Sequence, residues 1–398
     1  MRLPASTVRR RDRRSRLYKA AAIVVAMAGA IVGDAAQALA VDHVVMKDAT
    51  GEREVSGRVL DTTVDGGVVL QSPDGVIWMI QPESVVRSHS DDAIFTPFTQ
   101  AELGKQLLAK LPNGFETYTT RNFLICHNTS KAYAQWCGAL FEQLYSAFTN
   151  YWKRKGIDLT KPEFPLVAVV FADKVSYANF ARPELGDAGE AIIGYYSFQT
   201  NRMTMYDLTG VESLRRPGDR RTSAAQINEI LVRPEAERTV ATVIHEATHQ
   251  LAFNTGLQKR YSGAPLWVSE GLAVFFETPD LKSSKGWSTI GSVNYGRLNV
   301  FLQGLRGREP KSLELLLTDD SRFRTAKGQE LYAEAWALHY YLSRQKSKQY
   351  VEYLKMLSQK PRLIQDDAAT RLAEFRRFFG DDLHELDVDF VRYMVKVR

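Results

Sequence analysis

Two histidines four residues apart, His245 and His249 in the segment HEATHQ (245–250), are followed 21 residues later by Glu270 in WVSEG (267–271). Positions i and i+4 of a helix share a face. A chain carrying this pattern must therefore fold one helix against the next so that two imidazoles and a carboxylate converge, if the three are to hold one divalent ion. The local pattern supports helices on both sides. Glu235 and Glu237 stand in a first turn, where the helix dipole favours carboxylates, and Asn254-Thr255-Gly256 supplies a stop. A second helix is predicted from near Pro265 through Glu277. Two histidines and one glutamate leave a fourth position for water, the arrangement of a catalytic zinc rather than a structural one. Such donors favour zinc and also accept cobalt or manganese. Glu246, beside the first ligand, projects near the ion without filling a coordination position, which suits a general base.

The segments HEATHQLAFNTG and PLWVSEGLAVFFE resemble the gluzincins, metallopeptidases of the thermolysin and aminopeptidase-N type. The combined chain also resembles exported bacterial proteins with a peptidase-MA-like domain. The resemblance spans about residues 115–345 and implies zinc ligands at His245, His249 and Glu270, with Glu246 as the base. Glu277, two helical turns after Glu270, is expected to orient a ligand histidine. An oxyanion donor some sixty residues after the ligand glutamate is matched by Tyr332 in LYAEAWALHYYL, with Tyr340 and Tyr341 as rivals. His339 is read as a hydrogen-bonded core histidine or a second group near the site. No GxMEN-like segment that would hold a free amino terminus is present, nor the third histidine of metzincins.

The expected fold is α+β: the resemblance implies a zincin-like catalytic domain, with a mixed-sheet subdomain and a mostly helical C-terminal subdomain, and the strand pattern before it suggests a small SH3-like β-barrel. The expected function is zinc-dependent hydrolysis of peptide bonds in a peptide or protein substrate. The competing readings are a catalytically silent, envelope-associated binding protein of the same fold, and a chance HExxH in a helical adaptor that binds no metal.

The start of the chain bears on where it acts. Residues 1–40 run from an Arg-rich stretch through 14 apolar residues (20–33) to Ala38-Leu39-Ala40, the design of a secretory signal peptide cleaved after Ala40. A spanning helix wants about 20 apolar residues, so no stable membrane span is expected after cleavage. The protein is accordingly expected to be exported. Eight of the 52 Lys/Arg and two of the 46 Asp/Glu lie in this leader, so the rest of the chain carries 44 of each. The net charge of +6 thus belongs to the leader and does not point to nucleic acid.

Four regions are expected: the leader (1–40), the β module (41–92), an α/β part (93–232) and a helical, metal-binding part (233–398). In the module, HVVMK, EVSGRVLDTT, GVVLQS and GVIWMIQ lie between turn signals, and five short strands in about 45 residues suggest the barrel. Residues 90–99 read as a polar linker. Tyr133, Trp136, Leu140, Phe141, Leu144, Phe148 and Trp152 recur at helical spacing as core residues, and FPLVAVVF (164–171) reads as a buried strand. Residues 192–208 suggest a strand pair whose second half, from Met203 to Tyr206, is exposed on one edge or face and available to align an extended substrate. The Arg-rich stretch 210–232 reads as a surface loop or a lid. Cys126 and Cys137, eleven apart, are either a disulfide or two buried thiols.

Overall fold

The computed structural model describes residues 40–48, 51–214, 216–282, 287, 289–325 and 327–397. Apart from Ala40, the expected leader lies outside them. Among the described residues are two five-stranded sheets and twelve α-helices, a mixed α+β architecture. None of these helices is long and apolar enough to cross a membrane.

The first sheet is wholly antiparallel and contains β1 (Ala40–Asp48), β2 (Gly51–Thr62), β3 (Val68–Gln71), β4 (Ile77–Ile80) and β5 (Val85–Ile94) in the order β4-β3-β2-β1-β5. The expected barrel is not closed: β4 and β5 lie at opposite edges and do not pair among the described residues. Its core is small, with Val44, Val55, Leu70 and Ile80 at the centre. β5 reads VVRSHSDDAI and is exposed from Val86 to Ile94, so it has no apolar row to bury inside a barrel. It also takes up the first half of the stretch expected to be a linker.

After α1 (Gln100–Lys110), the second sheet is built from β6 (Glu116–Thr119), β7 (Phe123–His127), β8 (Leu166–Phe171), β9 (Gly194–Tyr196) and β10 (Arg202–Tyr206), ordered β6-β7-β8-β10-β9. β7, β8 and β10 run parallel, and β6 and β9 are antiparallel edges. Helix α2 (Lys131–Arg154) lies on one face with Phe123, Ile125, Leu166, Ala168 and Val170. The other face packs Leu124, Cys126, Val167, Val169 and Phe171 with α1 and α3 (Lys174–Leu185). Burial on both faces is why β8 is continuously apolar. The same layering separates the cysteines: Cys126 faces α1 and α3, Cys137 lies in the α2 layer, and both are free, buried thiols.

The expected edge strand is corrected. β10 is paired on both sides, and Met203, Thr204 and Met205 are buried, so it is exposed at neither an edge nor a face; β9 is the edge strand beside it. Part of the Arg-rich stretch is also ordered as α4 (Ala224–Leu231), which buries Ile227, Ile230 and Leu231. Close by, Arg233 grips Asp219 through two bonds of 2.6 and 2.8 Å.

Eight helices complete the chain: α5 (Glu237–Asn254), α6 (Leu266–Phe276), α7 (Tyr295–Gly304), α8 (Ser312–Thr318), α9 (Gly328–Gln345), α10 (Ser347–Ser358), α11 (Ala368–Phe379) and α12 (Leu383–Val395). Gln250 ties α5 to the second sheet, its Nε2 donating to the carbonyls of Val167 and Asn201. Helices α6 and α9 pack closely at Gly271, where an added Cβ would stand 2.5 Å from the Ala335 carbonyl oxygen. The first sheet docks on the loop joining β9 and β10. Arg260 donates to the carbonyls of Phe198 and Gly75, the Ile77 amide donates to the Gln199 carbonyl, and Arg202 pairs with Asp74 at 3.0 Å.

Gly271→Ala is expected to push α9 from α6 and lower stability by about 1–3 kcal/mol, as overpacking does. Urea unfolding followed by circular dichroism measures this, and an unchanged midpoint would contradict the contact.

Candidate metal centre

Helix α5 projects His245, Glu246 and His249, and α6 projects Glu270 toward the two histidines; all three ligand candidates are buried. His245 Nε2 lies 3.1 Å from Glu270 Oε2 and 3.1 Å from His249 Nε2, and His249 Nε2 lies 3.6 Å from the same carboxylate oxygen. The structure thus brings the three expected ligands together as a group able to hold a metal ion. An ion about 2.0–2.1 Å from each of three tetrahedral donors would keep those donors roughly 3.3–3.4 Å apart.

The surroundings set which ring nitrogens face the group. His245 Nδ1–H donates to Glu277 Oε1 at 2.9 Å, leaving a lone pair on Nε2. His249 Nδ1–H donates to the Ser269 hydroxyl at 3.1 Å, and that hydroxyl donates to Gln258 Oε1. Two imidazole lone pairs and a carboxylate then converge in a buried place, which is repulsive unless a proton or a metal cation stands among them. The local electrostatics have the same sign. Burial alone would lower the His245 pKa, but Glu270 and Glu277 outweigh it and push the pKa up to about 10. Burial likewise opposes ionisation of Glu270, yet the two imidazoles hold its carboxyl well below the usual range. The donor set therefore fits a divalent cation.

Glu277 is itself supported, with Arg297 Nη2 3.3 and 3.4 Å from its two oxygens and Asn294 Nδ2 at 3.5 Å. Glu246 is partly buried, and its Oε2 accepts the Tyr196 amide at 2.9 Å. That bond joins the HExxH helix to edge strand β9. Burial raises the Glu246 pKa.

Tyr332 on α9 lies beside the group, its ring centroid 6.2 Å from that of His245. The negative charge of Glu270 and then burial hold its hydroxyl well above the ordinary tyrosine pKa. Its rivals lie elsewhere. Tyr340 packs on Trp336 and Tyr393, and Tyr341 on Phe390 and Tyr393. His339 is a core residue: Tyr350 donates to its Nδ1 at 2.7 Å, and Phe275 packs on its ring.

Ser269, Gln258, Asn294, Arg297 and the Tyr196 amide were not anticipated from sequence. Ser269 had a signal, a hydroxyl inside the otherwise apolar run LWVSEGLAVFF, one residue before Glu270. The others are brought in by long-range folding and carry no local mark.

A family model described as "Protein of unknown function (DUF1570)" matches residues 239–363, a stretch that includes all three ligand candidates and Tyr332. A search of curated proteins finds no match.

Glu277→Gln or Ser269→Ala is expected to weaken divalent-ion affinity roughly 10–100-fold, as loss of an outer partner does. Competition with a chromophoric chelator measures this; unchanged affinity in both variants would remove their assigned role. A second prediction concerns pH. Burial lowers the His339 pKa to about 3, so the unfolded chain binds this proton first as pH falls, and stability is lost from about pH 6.5 downward. Between about pH 6.5 and 5 the loss is about 2 kcal/mol. Unfolding free energies for wild type and His339→Phe across that range should show a flatter profile in the variant, and parallel profiles would contradict the reading.

Proposed function

We propose that this chain is an exported, zinc-dependent peptidase of gluzincin type that hydrolyses amide bonds. The observation that carries the proposal is the convergence of His245 Nε2, His249 Nε2 and Glu270 Oε2 at 3.1–3.6 Å with a partly buried carboxylate, Glu246, next in sequence to the first ligand.

His245, His249 and Glu270 would hold the ion. A zinc ion so bound supplies Lewis acidity, lowering the pKa of water and polarising a carbonyl. Glu246 takes a proton from the attacking water and delivers it to the leaving nitrogen. The Tyr196 amide holds one oxygen of that carboxylate, which fixes its orientation. The Tyr332 hydroxyl, kept protonated by the neighbouring carboxylates, donates a hydrogen bond to the oxygen on which charge develops. Glu277 and Ser269 hold the imidazoles in register by accepting from Nδ1 of His245 and His249.

Strand β9 gives the substrate class a physical basis. It is an edge strand of the second sheet, and its Tyr196 amide donates to Glu246. An extended peptide can add to such an edge through main-chain hydrogen bonds, which places an amide beside the base. The leader-like composition of residues 1–40 supports export.

Glu246→Gln is expected to retain zinc and lose cleavage of a peptide library by roughly 10²-fold or more, the scale of general-base catalysis. Tyr332→Phe should retain zinc and lower kcat by roughly 10²–10³-fold, the scale of a lost oxyanion donor. Mass-spectrometric metal content and peptide cleavage read both. Wild type that holds zinc but cleaves no peptide would instead support a silent binding protein, and full activity in Glu246→Gln would overturn the mechanism.

A further inference from the structure

The first sheet gathers a second set of metal-ligating side chains. His43 on β1 stands directly opposite His89 on β5 and Ser56 on β2, while Glu54 stands opposite Val45, two residues farther along the same face. Directly opposed side chains on one face of an antiparallel pair have Cβ atoms about 4.5–5.5 Å apart, close enough for two imidazoles to share an ion. The rings of His43 and His89 stack, with centroids 4.6 Å apart and planes inclined by 12°, so His89 must turn out of the stack to aim a ring nitrogen at an ion held by His43. Glu54 Oε1 lies 3.5 Å from His43 Nδ1, and His43, Glu54 and His89 each offer a donor atom within 4.8 Å of the other two.

Asp91 gives the group a defined tautomer. Its Oδ2 accepts from His43 Nε2–H at 3.0 Å, so the lone pair is on Nδ1, the nitrogen facing Glu54, where it receives the Ser56 hydroxyl at 2.8 Å, a bond that a metal ion would replace. A carboxylate on the outer nitrogen of a histidine whose inner nitrogen faces another donor is the arrangement that Glu277 makes at His245. A second observation concerns β5. The strand is exposed from Val86 to Ile94 and brings no row of apolar residues to the sheet, so its place at the edge rests on main-chain pairing with β1 and on polar contacts.

We propose that His43, Glu54 and His89 form a second divalent-metal site, independent of the buried one, that clasps β1, β2 and β5 at the open end of the first sheet. Two imidazoles and a carboxylate select a first-row ion such as zinc over magnesium or calcium. Asp91 is a positioning residue that holds the His43 tautomer. The site is more exposed than the His245 group, so it binds more weakly and exchanges faster. Bound metal joins three strands and slows local opening of β5. The inference does not rest on peptidase activity.

The test uses the full chain, stripped with chelator and titrated with zinc by calorimetry, with hydrogen exchange of the β5 amides measured in parallel. Wild type should take up two ions. His89→Ala, a change on an exposed strand, should lose the weaker one and keep the tighter, and Glu54→Gln should weaken the second site by at least roughly tenfold. His249→Ala should lose the tighter ion and retain the weaker. Zinc should slow exchange in β5 of wild type and His249→Ala but not of His89→Ala. Equal zinc uptake by wild type and His89→Ala, or β5 exchange indifferent to zinc in wild type, would overturn the proposal. Because the exchange readout comes from the first sheet, its result is separable from failure of the buried centre.

Discussion

Three electron-rich atoms, two imidazole nitrogens and one carboxylate oxygen, are held 3.1–3.6 Å from one another in a buried place. With neither a proton nor a metal ion among them they would repel, and a cation there reverses the sign. The surrounding architecture is organised to maintain this convergence. Glu277, braced by Arg297, turns the His245 lone pair inward, and Ser269, which donates to Gln258, does the same for His249. Gly271 lets α9 lie close against α6, so Tyr332 arrives beside the group on a helix packed directly behind the ligand glutamate. These bonds are why the centre reads as a cation site.

The second sheet supplies the other wall. Gln250, the last residue of HEATHQ, bonds the carbonyls of β8 and of the β9–β10 loop, so the ligand helix and the sheet are fixed together. The first sheet grips the same loop from the other side through Arg260, Ile77 and the Arg202–Asp74 pair. The first sheet thus holds the loop that follows edge strand β9. Breaking the Arg202–Asp74 pair one-sidedly would leave a largely buried charge without its partner, a costly change in any fold.

Much of this was legible because the signals are short-range. The i, i+4 histidines, the Thr-Gly stop after Asn254 and the proline before α6 are local, and they specify two helices and their ligand faces. The aromatic spacing of α2 and the unbroken apolar run of β8 likewise report burial directly. What was not legible depends on pairing between distant segments. Residues 192–208 read correctly as two strands, but which one forms the edge is decided by β8, some thirty residues earlier, pairing with β10. Turn signals marked a small β module, yet closure depends on β5, whose polar sequence cannot line a barrel. Helix α4 was hidden inside an Arg-rich stretch because only Ile227, Ile230 and Leu231 mark its buried side. Helix α12 was not anticipated, although Leu383, Leu386, Phe390 and Met394 recur at helical spacing. The cysteines illustrate the limit well: spacing left a disulfide open, and only the sheet lying between them keeps the thiols apart.

The most direct measurement is anomalous diffraction at the zinc absorption edge from crystals of the protein grown with zinc. The account predicts a peak about 2.0–2.2 Å from His245 Nε2, His249 Nε2 and a Glu270 oxygen, with Glu246 nearby but not bonded to it. Absence of a peak at that position, or an ion there whose ligands exclude Glu270, would contradict the central claim.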